Sequence, residues 1–141
     1  MLNPTADIPF ALPPDLITTV VDLPMPPSTN RLWSHGENGR GGKVFLGPAY
    51  RKWKAQADLL AIANRVYRGI EVITGPFEAH IALNKTVGKG DLDNRVKALL
   101  DWAQSREMIR NDKFCMRLIV EWVEPANAPD GCRLTLREMA A

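Results

Sequence analysis

The segment from 77 to 103 constrains the fold most, because a strand pattern in it leads through a short polar stretch into a helix pattern. "FEAHIALN" alternates apolar and polar residues from Phe77 onward, as a half-buried strand does. After "KTVGKG", the run "DLDNRVKALLDWA" places apolar residues from Leu92 to Ala103 at helical spacing. A strand followed at once by an amphipathic helix predicts a fold that mixes both element types.

The remaining elements follow from the same periodicities. "LITTVVDL" and "CMRLIVEWVE" predict two further strands, the second with Met116 and Leu118 pointing inward. After the loop "PANAPDG", "CRLTLRE" predicts another strand that pairs antiparallel with the one before it. Between Gly47 and about Gly69 the spacing predicts a first amphipathic helix. We therefore expect an α+β fold: a single small domain with a mixed or antiparallel sheet of about four strands and two main helices.

The ends of the domain are predicted from proline and glycine. Residues 1–15 carry four prolines among the first fourteen positions, which removes N–H donors and predicts an extended or mobile N-terminal tail. The domain is then expected over 16–141. Within it, the glycine-rich "SHGENGRGGK" is predicted to be a mobile loop.

Composition excludes some classes of protein and names no function. A chain of 141 residues, 45% hydrophobic and 24% charged, is ordinary for one globular domain. The net charge of +2 permits an anionic partner without requiring one. No apolar run reaches about 18 residues, and Cys115 and Cys132 lack metal-site spacing. We expect a cytoplasmic protein with reduced thiols and no membrane association.

The two aspartates of "GDLDNRVK" constrain each other's position. Residues two apart on an α-helix point about 200° away from each other, so Asp91 must precede the helix if the two carboxylates are to face one point. Asp91 is then expected at the strand end or as N-cap, with Asp93 in the first turn, where the helix dipole stabilises negative charge. An alternative needs no site, because Asp91 can cap the helix while Asp93 pairs with Lys97 at i+4.

A third acid, Asp112 of "RNDKF", follows this helix. We expect the chain to return there beside the strand that delivers Asp91, so that three carboxylates meet at one end of the sheet. Donors that are all oxygen favour Mg²⁺ or Mn²⁺ over zinc. An EF-hand is excluded, because positions 95, 96 and 102 hold "R", "V" and "W" where that loop needs an oxygen ligand, glycine and glutamate.

Together, "LPMPPSTNR", "GDLDNRVKALLD" and "RND" resemble the RusA-type Holliday junction resolvases, over about Thr19 to Glu138. That family consists of small homodimeric, Mg²⁺-dependent endonucleases that cut four-way DNA junctions in recombination and repair, often encoded by prophages. The resemblance implies that Asp91, Asp93 and Asp112 are the catalytic, metal-binding acids and that Lys97 is the essential lysine.

The chemistry of phosphodiester hydrolysis agrees with these roles. It needs an activated water, charge neutralisation and help for the departing oxygen, which carboxylate-held Mg²⁺ can supply. Lys97 shares a helix face with Asp93 and can contact the scissile phosphate. Asp101, one turn beyond Lys97, is expected to orient it, although a solvated surface acid is an equal alternative.

Contacts to the DNA backbone are expected from polar and basic residues outside the acid cluster. Family members can carry an arginine run before the acids, where this chain has "KTVGKG". The candidate contacts are Asn30, Arg31, Arg40, Lys43, Lys85 and Lys89.

Two other functions compete with a junction resolvase. One is a non-catalytic protein that binds branched DNA, and the other is a metal-dependent hydrolase of small phosphorylated substrates, which gains no support because no GxxxxGK[ST] loop occurs. A four-way junction has approximate two-fold symmetry and needs two nicks, so a homodimer is expected if the resemblance holds.

Overall fold

The computed structural model describes residues 16–28, 33–35, 44–63, 71–88 and 90–140, and the backbone alone for 33–35 and 44–46. The strands are β1 Thr18–Pro24, β2 Trp33–His35, β3 Val44–Leu46, β4 Phe77–Asn84, β5 Cys115–Val123 and β6 Gly131–Glu138. The helices are α1 Pro48–Ala63 and α2 Val96–Ser105, with 3₁₀ turns at Asp93–Arg95, Asp112–Phe114 and Pro125–Asn127. The predicted tail and the predicted end of the first helix near Gly69 lie outside the described residues.

Four strands form one mixed sheet in the order β1-β6-β4-β5. β6 is antiparallel to both β1 and β4, whereas β5 runs parallel to β4. Parallel neighbours need a long crossover, and α2 supplies it between β4 and β5. The predicted α+β class with about four strands and two helices is confirmed. The antiparallel pairing of β6 is confirmed too, but its partners are β1 and β4 instead of the strand that precedes it.

One face of this sheet and both helices share a single core. The strand residues that point to it alternate, as period-2 patterning requires, and the helix residues recur at three and four positions. The fully or nearly fully buried members include Val21, Leu23, Tyr50, Trp53, Ala57, Ala61, Phe77, Ala79, Ile81, Leu83, Leu99, Trp102, Ala103, Leu134 and Leu136. Within the described ranges, no helix is long and apolar enough to cross a membrane.

The first half of β5 departs from the sequence prediction. Met116 and Leu118 are 60% and 46% exposed instead of buried. β5 is an edge strand, and its register with β4 shifts by one residue at its start, which leaves Met116 outside the pairing. Farther along, Val120 and Trp122 pack against the core. Inward alternation is therefore correct only for the second half of the strand.

The glycine-rich segment also differs from its prediction. Two short strands flank it: β2 includes its first two residues, β3 begins directly after it, and the two pair antiparallel with Trp33 opposite Leu46. Ser34 and His35, predicted to begin a loop, belong to β2 instead. The pattern of a three-residue strand is too short to separate it from loop sequence.

A polar contact joins the two helices beside their apolar core. Asp58 of α1 accepts hydrogen bonds from Trp102 Nε1 at 2.9 Å and from Arg106 Nε at 2.7 Å. Arg106 also forms an ion pair with the second carboxylate oxygen of Asp58. Burial alone would raise the pKa of Asp58, but the hydrogen bonds from Arg106 and Trp102 outweigh it and lower that pKa. The ionised carboxylate therefore stabilises the fold.

We expect Asp58→Asn to lower the free energy of unfolding by about 2 kcal/mol at pH 7, because it removes charge-assisted hydrogen bonds. Thermal melts should show a fall in Tm of roughly 6 °C. Because the folded-state pKa is lowered, this stabilisation is present above the ordinary carboxyl pKa of 3.8 and is lost as pH falls through the folded value. Asp130→Asn, at an exposed loop carboxylate, is the control. A Tm difference between Asp58→Asn and wild type that stays constant down to pH 2.5 would contradict this account.

Candidate active site

The acid motif, "DLD" at residues 91–93, follows a turn that begins with a buried asparagine. Asn84, at the end of β4, is 4% exposed. Its Nδ2 donates to the Ala128 carbonyl at 3.2 Å, and its Oδ1 accepts from the Thr86 amide at 2.9 Å and the Thr86 hydroxyl at 2.6 Å. All three bonds hold the chain at the point where it leaves the sheet.

The two glycines of "GKGD" each meet a requirement of the backbone. A Cβ at Gly88 would lie 2.4 Å from the Trp122 ring and 2.9 Å from the Met25 methyl group. Gly90 has φ of +90°, a conformation that side chains other than hydrogen disfavour. Gly88 and Gly90 therefore fix the backbone just before Asp91.

Asp91 and Asp93 both precede α2. Asp91 is exposed and accepts a hydrogen bond from Asn94 Nδ2 at 3.2 Å, while Asp93 is exposed and begins the 3₁₀ turn. The N-cap of that turn is Leu92, without a side-chain cap. Asp91 therefore precedes the helix as predicted, but it is neither at the end of β4 nor the N-cap, and Asp93 lies in a 3₁₀ turn instead of the first turn of α2. The cause is the 3₁₀ turn, which delays the α-helix to Val96.

Lys97 connects the motif to the distant third acid. Its Nζ lies 3.1 Å from Asp101 Oδ1 and 3.4 Å from Asp112 Oδ2. Across the described residues, its ion pairs are with these two acids, so the alternative in which it pairs with Asp93 is not what the structure shows. The hydrogen bond to Asp101 raises the pKa of Lys97, against an opposing effect of burial. The ammonium group is thus charged and held between two carboxylates.

Asp112 is positioned by its backbone. Its amide donates to Gln104 Oε1 on α2 at 3.1 Å. The preceding Asn111 caps the 3₁₀ turn by accepting from the Lys113 amide at 3.0 Å. Gln104 was not predicted as a functional residue, although its place on the α2 face that carries Lys97 and Asp101 was the signal that could have found it.

The parallel pairing of β4 with β5 determines how the chain reaches the third acid. The end of β4 and the start of β5 lie at opposite ends of that strand pair, so the chain runs back along the sheet between them. On this return path Lys97, near the start of α2, contacts Asp112 at 3.4 Å just before β5 begins. Over the part of the chain that the structure describes, no three His, Cys, Asp or Glu side chains are grouped closely enough to hold a metal ion.

The predicted DNA contacts fall mostly where the structure gives no description. Asn30, Arg31, Arg40, Lys43 and Lys89 lie outside the described residues. Lys85 is described: it is about half exposed at the end of β4 and forms an ion pair with Glu124.

The cysteines are free thiols, as predicted, and burial raises the pKa of each. Cys132 is fully buried in the core and Cys115 is half-buried at the start of β5. His80 pairs with Glu121 at 2.6 Å on the sheet face away from the core. None of these three side chains contributes to the cluster around Lys97.

Comparison with known proteins identifies the family. No curated protein matches the chain. The family model described as Endodeoxyribonuclease RusA matches residues 24–135. That span is well over half of the chain and contains both motif aspartates, Lys97 and Asp112. The resemblance seen in the sequence is confirmed, and the chain belongs to the RusA endodeoxyribonuclease family.

Proposed function

We propose that this chain is a Mg²⁺-dependent resolvase that cuts four-way DNA junctions by hydrolysing two phosphodiester bonds. Membership of the RusA family supports an endodeoxyribonuclease of Holliday junctions. The observation that carries the residue assignment is the 3.4 Å contact of Lys97 with Asp112, which joins the "DLDNRVK" and "RND" motifs across 15 positions.

The donor chemistry fits a hard divalent cation. Mg²⁺ prefers oxygen ligands, keeps several waters and commonly takes only one or two protein carboxylates together with substrate phosphates. Asp91 and Asp93, exposed before α2, and Asp112, half-buried beyond it, would supply carboxylate oxygens to the ion. Since these acids are not grouped closely enough to hold an ion by themselves, the phosphates of bound DNA would complete the site. When bound, Mg²⁺ supplies charge neutralisation at the phosphate and lowers the pKa of a coordinated water. Mn²⁺ offers the same preferences and is expected to substitute.

The remaining chemistry belongs to the chain itself. The charged Lys97 ammonium lies beside the acids and can bind a non-bridging oxygen of the scissile phosphate, whose negative charge grows in the transition state. Asp101 holds the ammonium from the next helical turn at 3.1 Å. Because Asp101 and Asp112 keep this group in place before substrate arrives, little reorganisation is needed when DNA binds.

DNA binding and symmetry complete the proposal. We assign backbone contacts to Asn30, Arg31, Arg40 and Lys43, and to Lys85 and Lys89, which precede the acids in the sequence, because phosphate binding requires no base readout. A two-fold dimer would present one acid cluster to each of the two strands that must be nicked. Light scattering on the protein with and without junction tests the dimer directly.

The test of substrate class compares a synthetic four-way junction with a linear duplex built from the same arms. The proposal predicts cutting of the junction into two nicked duplexes in Mg²⁺, with little cutting of the linear duplex. Affinity should fall steeply with salt, since each neutralised phosphate contributes about −0.9 to the log–log slope. Binding without cutting would favour the non-catalytic branched-DNA protein, and a flat salt response would favour a small phosphorylated substrate.

A further inference from the structure

The segment "PMPPS", residues 24–28, has few backbone N–H groups that can hold it in place. Three of its residues, Pro24, Pro26 and Pro27, have no N–H group and cannot donate a backbone hydrogen bond. Such a segment is fixed in place chiefly through its carbonyl oxygens and its side-chain packing. It leads directly to Asn30 and Arg31, the proposed contacts with the DNA backbone.

Two side chains reach those carbonyls. Trp53 of α1 donates its Nε1 to the Pro24 carbonyl at 2.9 Å. Arg95 donates Nη1 to the Pro26 carbonyl at 2.5 Å, across 69 positions of sequence. Trp53 belongs to the core, but Arg95 is the last residue of the 3₁₀ turn that begins with Asp93. The acid motif and the proline segment are therefore joined directly.

The geometry points to Arg95 as a positioning residue for the cutting reaction, an inference that rests on the proposed function. A guanidinium cannot bind Mg²⁺, and this one is half-buried and bonded to a backbone carbonyl. Arg95 sets the position of Asp91 and Asp93 relative to the segment that leads to the DNA contacts. A misplacement of about 1 Å between substrate and reacting groups can lower the rate by about 100-fold.

The test compares Arg95→Leu, which cannot donate to Pro26, with Arg95→Lys, which can. The matched control is Arg106→Leu, which removes a partly buried arginine that bonds Asp58 of α1. We expect Arg95→Leu to lower kcat on a four-way junction by about 10-fold to 100-fold and to change junction Kd by less than about threefold. Arg95→Lys should recover much of kcat, and Arg106→Leu should lower Tm while leaving kcat within about twofold.

A second readout needs neither DNA nor metal. The Met25 methyl group lies beside the Trp122 ring, since both border the same point next to Gly88. In spectra of protein labelled with ¹³C at methionine methyl groups, the Met25 signal should move in Arg95→Leu and stay in place in Arg106→Leu.

These outcomes separate the inference from the proposed function. If wild type fails to cut any junction, the proposed function is refuted. The Met25 signal still tests whether Arg95 anchors residues 24–28. An Arg95→Leu variant with wild-type kcat, an unmoved Met25 signal, or an equal loss of kcat in Arg106→Leu would each overturn the positioning role.

Discussion

Asp93→Asn is expected to bind a four-way junction about as tightly as wild type and to cut it about 1,000-fold more slowly. The substitution keeps the side-chain volume and removes one negative charge from the proposed metal site. A bound divalent ion contributes several kcal/mol of transition-state stabilisation, which a weakened site would lose in large part, and each 1.36 kcal/mol corresponds to tenfold in rate. Binding is retained because the lost charge would otherwise repel DNA phosphates.

Single-turnover cutting of an end-labelled junction, together with a gel shift in Ca²⁺, measures both quantities. Glu71→Gln is the matched control, since it neutralises an exposed carboxylate outside the acid cluster. Wild-type cutting by Asp93→Asn in Mg²⁺ would show that the site is assigned to the wrong residue.

Lys97→Met is expected to lower kcat by about 100-fold or more while junction affinity changes little. Removing one preorganised group that stabilises developing charge typically costs about 10² to 10³ in rate. Methionine keeps the length of the side chain but leaves Asp101 and Asp112 without the cation that lies between them at 3.1 and 3.4 Å. Lys97→Arg keeps the charge and should restore part of kcat.

Lys113→Met is the control for this change, because Lys113 is an exposed lysine next to Asp112 that stacks over Phe114. Equal losses in Lys97→Met and Lys113→Met would indicate a general loss of positive charge instead of a specific role. Cutting by Lys97→Met within about threefold of wild type would return Lys97 to the status of a surface ion pair, worth about 0.3 kcal/mol.

Local patterns in the sequence were sufficient for the elements with strong periodicity. β4 buries Phe77, Ala79, Ile81 and Leu83 as the alternation predicted, because period 2 alone decides which face a strand residue occupies. The pairing of β6 was not predictable in this way. It depends on which strands the core brings together, and the loop after β5 carries no short hairpin turn that would have fixed a partner.

The candidate site, too, could be predicted from the sequence only in part. That Asp91 precedes the helix followed from the 100° step of an α-helix. The meeting of Lys97 with Asp112 could not be derived, because it requires the parallel crossover that returns the chain along α2. The contact of Arg95 with Pro26 could not be predicted either, because every residue has a carbonyl acceptor and no sequence pattern identifies the one that Arg95 binds. Motif resemblance located these residues, and tertiary structure is needed to show which of them touch.

The most direct test of metal-dependent junction cutting is the single-turnover rate of wild type on one four-way junction in Mg²⁺, Mn²⁺, Ca²⁺ and EDTA. We predict paired nicks in Mg²⁺ and Mn²⁺ and no cutting in EDTA. In Ca²⁺ we predict a stable complex with little cutting, because its longer and looser coordination positions water and phosphate poorly. Cutting in EDTA, or full cutting in Ca²⁺, would contradict the assignment of Asp91, Asp93 and Asp112 as the ligands of a catalytic Mg²⁺.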